Sequence, residues 1–312
     1  MFATTLRDWE PAEFRIREQF VEVFAHDAPV SEVLDPEGRE AMIHCGTAVQ
    51  YLKLTLKQHG CLGRVDLFPD LDQPNLAARV HLGGSGARDE LERQLFKATE
   101  AGEGLRQLPT PISDATLVWL SRVTTGERSW LEFARSEGSR QRLVDLIQAA
   151  KRVRTAEVQV RNESPVRLPD GGWRLGRLAS GMLPERFARW RKPPLAIKVR
   201  ATTATGPAPF ESNQPAVLGG TFAVLKTKTD EKHGWLAAGQ TLAQLLLLVR
   251  TLGLPCTPYV DVLRPPERRA ELRTAIGHKG FTQVILRFDA ARIESPVGSE
   301  AMYPMTETRQ SV

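Results

Sequence analysis

The sequence predicts an internally duplicated fold of helices and strands built on two long buried helices, and three observations carry that expectation. First, residues 38–60 and 231–253 are both helical patterns that share an internal and a closing glycine at matching positions, Gly46 and Gly60 in one, Gly239 and Gly253 in the other. Second, apolar residues recur at helical intervals in each, at Met42, Cys45, Val49, Leu52 and Leu56 and at Trp235, Ala238, Leu242, Leu245, Leu246 and Val249. Third, each helix leads into the same series: a turn, a connection and a strand. Two unrelated buried helices would account for either pattern alone. The agreement downstream favours a duplication whose central helices cross at Gly46 and Gly239. The closing glycines stand where a helix takes a left-handed cap. The internal ones each cost roughly 1 kcal/mol of helix propensity, which a close crossing would offset.

The elements come in order. Phe14 to Phe24 alternates and reads as a hairpin or an edge pair of strands. After Gly60 come a β-like run over 64–68, a Pro-Asp turn and a second run over 76–82. Gly83 to Gly86 reads as a flexible joint, dividing the chain into halves at 1–88 and 89–312. Asp89 to Thr99 is an amphipathic helix, 110–113 a linker, and Ser139 to Arg154 a strong helix with Leu143, Leu146, Ile147 and Ala150 on one face. Residues 161–215 are rich in Pro, Gly, Arg and Thr without a sustained period, and are expected to form a lid over the cleft between the halves. Buried-strand character returns over 216–227. After Gly253 come a strand-like run over 258–263, a charged helix from about Pro266 to Ile276, and a strand over 282–288.

The chain has 312 residues, 41% of them hydrophobic, which is enough for a substantial core in one large domain or two ordinary ones. No run approaches the ~20 apolar residues of a membrane span. The charged N-terminus lacks the apolar core of a secretion signal. Three cysteines, Cys45, Cys61 and Cys256, fall outside any CxxC or CxxH spacing and point to a reducing cytoplasm, with no metal site. The net charge of +5 raises the question of nucleic acid. Its densest cluster lies over 186–200, interleaved with Phe187 and Trp190, and the remaining positives are interspersed with carboxylates. That pattern reads as the solvated face of a cover segment, and no nucleic-acid motif accompanies it. None of the six histidines pairs at metal-ligand spacing. No phosphate loop, nucleophile elbow or kinase set is present, and no catalytic side chain is assigned.

The block Leu34-Asp-Pro-Glu-Gly-Arg-Glu-Ala-Met-Ile-His-Cys-Gly-Thr-Ala and Leu67-Phe-Pro-Asp70 resembles the nitroreductase family. Val224-Leu-Lys-Thr227, Asp230, Trp235-Leu-Ala-Ala-Gly-Gln240, Leu252-Gly-Leu254 and Gln283-Val-Ile-Leu-Arg287 match that family's second half in order and spacing. The branch resembled is the Acg type, in which two nitroreductase-like halves are fused into an internal pseudo-dimer. The resemblance covers most of 14–110 and 216–290. It implies an α+β fold with two small mixed sheets around long central helices. It also implies FMN bound between the halves and hydride passed from NAD(P)H to an acceptor.

Three cofactor motifs of that family depart from their pattern here. In place of Asn-x-Gln-Pro-Trp-Arg stands Arg7-Asp-Trp-Glu-Pro-Ala-Glu-Phe14, which brings carboxylates Glu10 and Glu13 to the ring side. In place of the phosphate-gripping Arg-Arg-Thr-x-Arg stands Lys97-Ala-Thr-Glu-Ala101, leaving Lys97 and Thr99 as phosphate contacts. A C-terminal Pro-Arg-Arg-Pro is replaced by Ser295-Pro-Val-Gly298. Pro258, Tyr259, Val260 and Asp261 supply the segment whose backbone amide would face the flavin N5. The resemblance therefore implies a flavoprotein oxidoreductase with a degenerate FMN site and weak or lost activity. The other reading is a non-catalytic module that sequesters flavin or a small aromatic ligand, or partners an intact flavoenzyme.

Overall fold

The computed structural model describes residues 12–25, 35–84, 89–100, 112–162, 220–277 and 279–288. The expectations at Glu10, Ser85, Gly86, Ala101, Ser295–Gly298 and most of the 161–215 lid lie outside these residues. The described chain runs β1 (Ala12–Ile16), β2 (Phe20–Ala25), α1 (Arg39–Gln58), β3 (Leu62–Leu67), β4 (Leu76–Leu82), α2 (Glu90–Glu100) and α3 (Asp114–Thr124). It continues through β5 (Ser129–Phe133), α4 (Glu137–Asn162), β6 (Thr221–Thr227), α5 (Lys232–Thr251), β7 (Cys256–Tyr259), a 3-10 turn at Asp261–Leu263, α6 (Pro266–Ala275) and β8 (Phe281–Phe288). This is an α+β architecture.

Both long helices end as their glycines predict. Gly60 and Gly253 adopt φ of 67° and 66°. Cys61 N–H donates to Leu56 O and Leu254 N–H to Val249 O, both at 2.8 Å, closing a Schellman cap on each helix. The internal glycines meet. A Cβ on Gly46 would lie 2.1 Å from Leu236 O, and one on Gly239 would lie 1.9 Å from Ile43 O. Each glycine thus faces the carbonyl three residues before the other, the reciprocal contact of a two-fold crossing. Helices α1 and α5 therefore pack backbone to backbone at one point, as the sequence predicts.

The two sheets correct one expectation. The resemblance implies mixed sheets, yet every described pairing is antiparallel. The strand orders are β1-β2-β4-β3 and β5-β6-β8-β7. Strands β2 and β3 do run parallel to each other, as do β6 and β7. In each case the last strand of the sheet in chain order inserts between them and separates the parallel pair. The run over 258–263 is also corrected, into β7 and a 3-10 turn, while α3 and β5 arise where no element was expected.

One apolar cluster joins the two sheets, holding Val23 and Ala78 from one, Leu225 and Val284 from the other, and Ile43 and Leu236 from the crossed helices. A second cluster lies on the far side of the C-terminal sheet, where Leu143, Ile147 and Leu272 cover Phe222, Val224 and Ile285. That sheet is buried on both faces, so β6 and β8 read as continuous apolar runs. The N-terminal sheet presents its far face to solvent. There Arg79 binds Glu22 at 2.8 Å, and Arg15 and Arg79 lie over the rings of Phe24 and Phe20 at 4.0 and 4.9 Å.

The crossing can be tested by stability. Gly239→Ala places a methyl group against a backbone carbonyl that has no rotamer to escape into. It should lower stability by roughly 1–3 kcal/mol despite the gain in helix propensity. Gly138→Ala in the first turn of α4, where an added Cβ meets nothing within 4 Å, should be neutral or stabilising. Urea midpoints of the two variants check this; equal midpoints would disprove the crossing.

His44, buried on α1, has its pKa lowered from 6.5 to about 4 by desolvation. Between those values the unfolded chain binds a proton that the folded chain does not. Stability contributed by neutral His44 is therefore full above pH ~6.5 and lost as pH falls toward 4. The loss is expected to approach about 3 kcal/mol. His44→Gln should flatten that part of a pH–stability profile measured by urea unfolding.

Candidate functional site

The residues implicated by sequence fall into two places. Pro258 and Tyr259 end the edge strand β7, paired with Leu286 and Ile285 of β8. The edge position suits Pro258, which has no N–H to give. Val260 and Asp261 turn the chain into the 3-10 helix, where the Asp261 carboxylate accepts from Val262 N–H at 3.0 Å. This segment is tied to the head of α1, because Arg39 Nη1 donates to Val260 O at 3.4 Å.

Lys97 and Thr99 sit on α2, toward the other end of α1. Lys57 Nζ lies 2.6 Å from Glu92, and the rings of His59 and Phe96 stand edge to face at 6.0 Å. Since α1 rises about 1.5 Å per residue, Arg39 and His59 lie on the order of 30 Å apart. The structure therefore brings Pro258, Tyr259, Val260 and Asp261 together and sets them apart from Lys97 and Thr99. Lys97 is exposed. Thr99 Oγ1 donates its proton to Phe96 O at 2.6 Å, so the hydroxyl can offer only lone pairs to a further group. Ala98, between them, is buried in the core. Glu13 pairs with Arg15 at 2.8 Å on the solvent face of β1.

The head of α1 holds a network of charge that sequence reasoning missed. Arg39, 1% exposed, bonds Gln283 Oε1 at 2.9 Å and also the Gln283 carbonyl. Gln283 Nε2 donates to Asp230 Oδ1 at 2.9 Å, and Trp235 Nε1 to the same oxygen at 2.8 Å. Arg269, 2% exposed, binds Asp230 Oδ2 at 2.8 Å and Glu37 at 2.7 Å, and caps the carbonyls of Leu263 and Arg264. Arg264 forks onto Glu40 at 3.0 and 3.2 Å.

Burial alone would raise the pKa of Asp230, but the bonds from Trp235, Gln283 and Arg269 outweigh it and hold the carboxylate below its ordinary range. Desolvation lowers the pKa of Arg39 to about 10, which still leaves it charged at neutral pH. It also raises that of Glu40 against the pull of Arg264. Breaking one such buried pair leaves an uncompensated charge and costs on the order of 3 kcal/mol. The nearest sequence signal was that Asp230, Trp235 and Gln283 stood among the matched residues.

Chemically the arrangement is one of fixed donors. The Cys45 thiol is pushed up to about 12 by burial and is no nucleophile at neutral pH. At the head of α5 the His233 ring lies 4.4 Å from that of Phe68, and Lys232 Nζ donates to Pro74 O at 3.1 Å. Among the described residues no group of three or more His, Cys, Asp or Glu side chains could hold a metal ion, and no helix is long and apolar enough to cross a membrane.

No family model matches the chain. It is 25% identical over 305 residues to a protein of Mycobacterium tuberculosis strain CDC 1551 / Oshkosh named "Putative NAD(P)H nitroreductase", covering 94% of this chain and 83% of the relative. A protein of strain H37Rv with the same descriptive name matches to the same extent. This weak likeness runs through both sheets and both crossed helices, and the α+β frame is compatible with a nitroreductase-like fold. Together they support a place in the nitroreductase family.

Proposed function

We propose that the chain is an Acg-type nitroreductase-fold protein, an internal duplication standing in for a two-chain dimer, in which the flavin site has degenerated. The likeness to named NAD(P)H nitroreductases over nearly the whole chain carries the family part of this reading. The shared strand order, the reciprocal glycine crossing and the matching Schellman caps favour the duplication. The proposed halves are 1–88 and 89–312, with 161–215 as a cover. Three free cysteines agree with a cytoplasmic setting.

FMN, where bound, supplies the chemistry of the family, taking hydride from NAD(P)H and passing electrons to an acceptor. Lys97 would give its phosphate one point charge, a weaker grip than bidentate arginines provide. Tyr259, Val260 and Asp261 would offer main-chain donors to the ring. These two sets lie toward opposite ends of α1, so one flavin would be served by one set and not by both. Binding is expected to be weak, and FMN-linked NAD(P)H oxidoreductase turnover weak or lost. The engaged Thr99 hydroxyl and the lone Lys97 also favour the second reading, a non-catalytic module that sequesters flavin or a small aromatic ligand, or that partners an intact flavoenzyme.

The protein should purify with substoichiometric flavin and reduce nitroaromatics slowly when supplied with NAD(P)H and excess FMN. Lys97→Ala should weaken FMN by about tenfold, the equivalent of one charge-assisted contact. The difference should shrink at high salt. Absorbance of the purified protein and an anaerobic FMN titration check this. Stoichiometric, tightly held FMN would overturn the degenerate site and leave an ordinary flavoenzyme.

A further inference from the structure

Helix α3, the edge strand β5 and the start of α4 border an open groove of about 590 Å3, within the range of small-molecule sites. Its lining is mixed, and the apolar part comes from Leu117 and Val118 of α3, Leu131 and Phe133 of β5, Ala134 beyond it, and Ile276 at the end of α6. Val118 is 40% exposed and gives the rim one apolar residue.

The charges narrow what such a groove would take. Arg122, Glu132 and Arg135 line it. Glu132 is committed, because its Oε2 lies 2.8 Å from the fully buried ammonium of Lys226, which also caps the carbonyls of Ile276 and Gly277 at 3.0 and 3.1 Å. Two of the hydroxyls are engaged as donors: Ser121 donates to Leu131 O at 3.1 Å, and Ser136 to Ser139 Oγ at 2.8 Å. Among the described residues Arg122 and Arg135 form no ion pair, and both are exposed, so the groove carries two open cations beside its apolar residues. A neutral apolar guest would leave them unanswered. An anion with an apolar body matches both features.

We propose that this groove binds a small amphipathic anion, a carboxylate or sulfonate with an aliphatic or aromatic body. Its charge sits between Arg122 and Arg135, and its body lies on Leu117, Phe133 and Ile276. None of these residues belongs to the two sets considered for flavin, so the proposal stands apart from that reading.

The test is fluorescence titration of the full chain with anilinonaphthalene sulfonate, then displacement with dodecanoate or dodecanol. Saturable binding displaced by dodecanoate and much less by dodecanol is expected. The Arg122→Gln, Arg135→Gln double variant should bind the probe at least about tenfold more weakly, with its urea midpoint unchanged. Arg140→Gln, which removes a surface partner of Glu137 on α4, should bind as the parent does. Equal binding by the double variant, equal displacement by dodecanol, or no saturable binding would each overturn the site. The last of these would mean that the groove is covered by the chain itself or by a second copy.

Discussion

The crossing of α1 and α5 at Gly46 and Gly239 is the constraint on which the rest of the structure depends. Either glycine carrying a side chain would press it into the facing helix's main chain, at 2.1 or 1.9 Å from a carbonyl oxygen. Only with both Cβ atoms absent can the axes approach this closely, and the approach lets one apolar cluster span both sheets. Ile43, Leu236, Val23 and Leu225 belong to it together. Had the helices stood one side chain further apart, each sheet would have needed a core of its own, and the surface-to-volume balance of such small units is poor.

Around that near-symmetric crossing the two helix heads differ, and the difference is electrostatic. Seven residues before each glycine stands a cation, Arg39 or Lys232. Arg39 is buried and spent on Gln283 and Val260. Lys232 is exposed and touches one carbonyl of the 68–75 turn. A buried cation carries a large desolvation cost, which is met only where every donor finds an acceptor. The chain meets it by recruiting β8, the 3-10 turn and α6, three elements close to or beyond residue 260, to the start of α1. The network holds in place a segment that runs past the end of β7 and would otherwise be an edge strand running into a loop. The C-terminal sheet is also the one covered by α4 and α6, and so is buried on both faces.

Much of this was legible along the chain, and the rest was hidden for a common cause. Helix periodicity with a closing glycine is local information, and both long helices and their caps arise from it. The hairpin of β1 and β2 shows in the alternation from Phe14 to Phe24, because one face of that sheet meets water. Whether a sheet is mixed or antiparallel depends on which strand slips between two parallel neighbours, which no local pattern encodes. Helix α3 escaped notice because its apolar residues are split between a buried face at Leu120 and an exposed one at Val118 and Trp119. Nothing in the local sequence marks Arg39 for burial. Its burial is decided by Gln283, 244 residues away. For the candidate site, Lys97 and Thr99 could be picked out by type and spacing, but not their distance from Pro258 to Asp261 or the bond that occupies the Thr99 hydroxyl.

These contacts also decide what the fold would lose with a ligand contact. The crossing uses glycines and carbonyls, the core uses apolar side chains, and the Val260 turn is held by Arg39. None of them recruits Lys97 or the Thr99 hydroxyl, which lie on a helix anchored by Leu95, Phe96 and Ala98. Loss of a phosphate contact therefore removes binding energy without opening a cavity or orphaning a buried charge. Substitutions at the crossing or in the Arg39–Asp230–Arg269 network do both. The frame and the ligand donors are energetically separable in this chain, which is the condition under which one can persist while the other drifts.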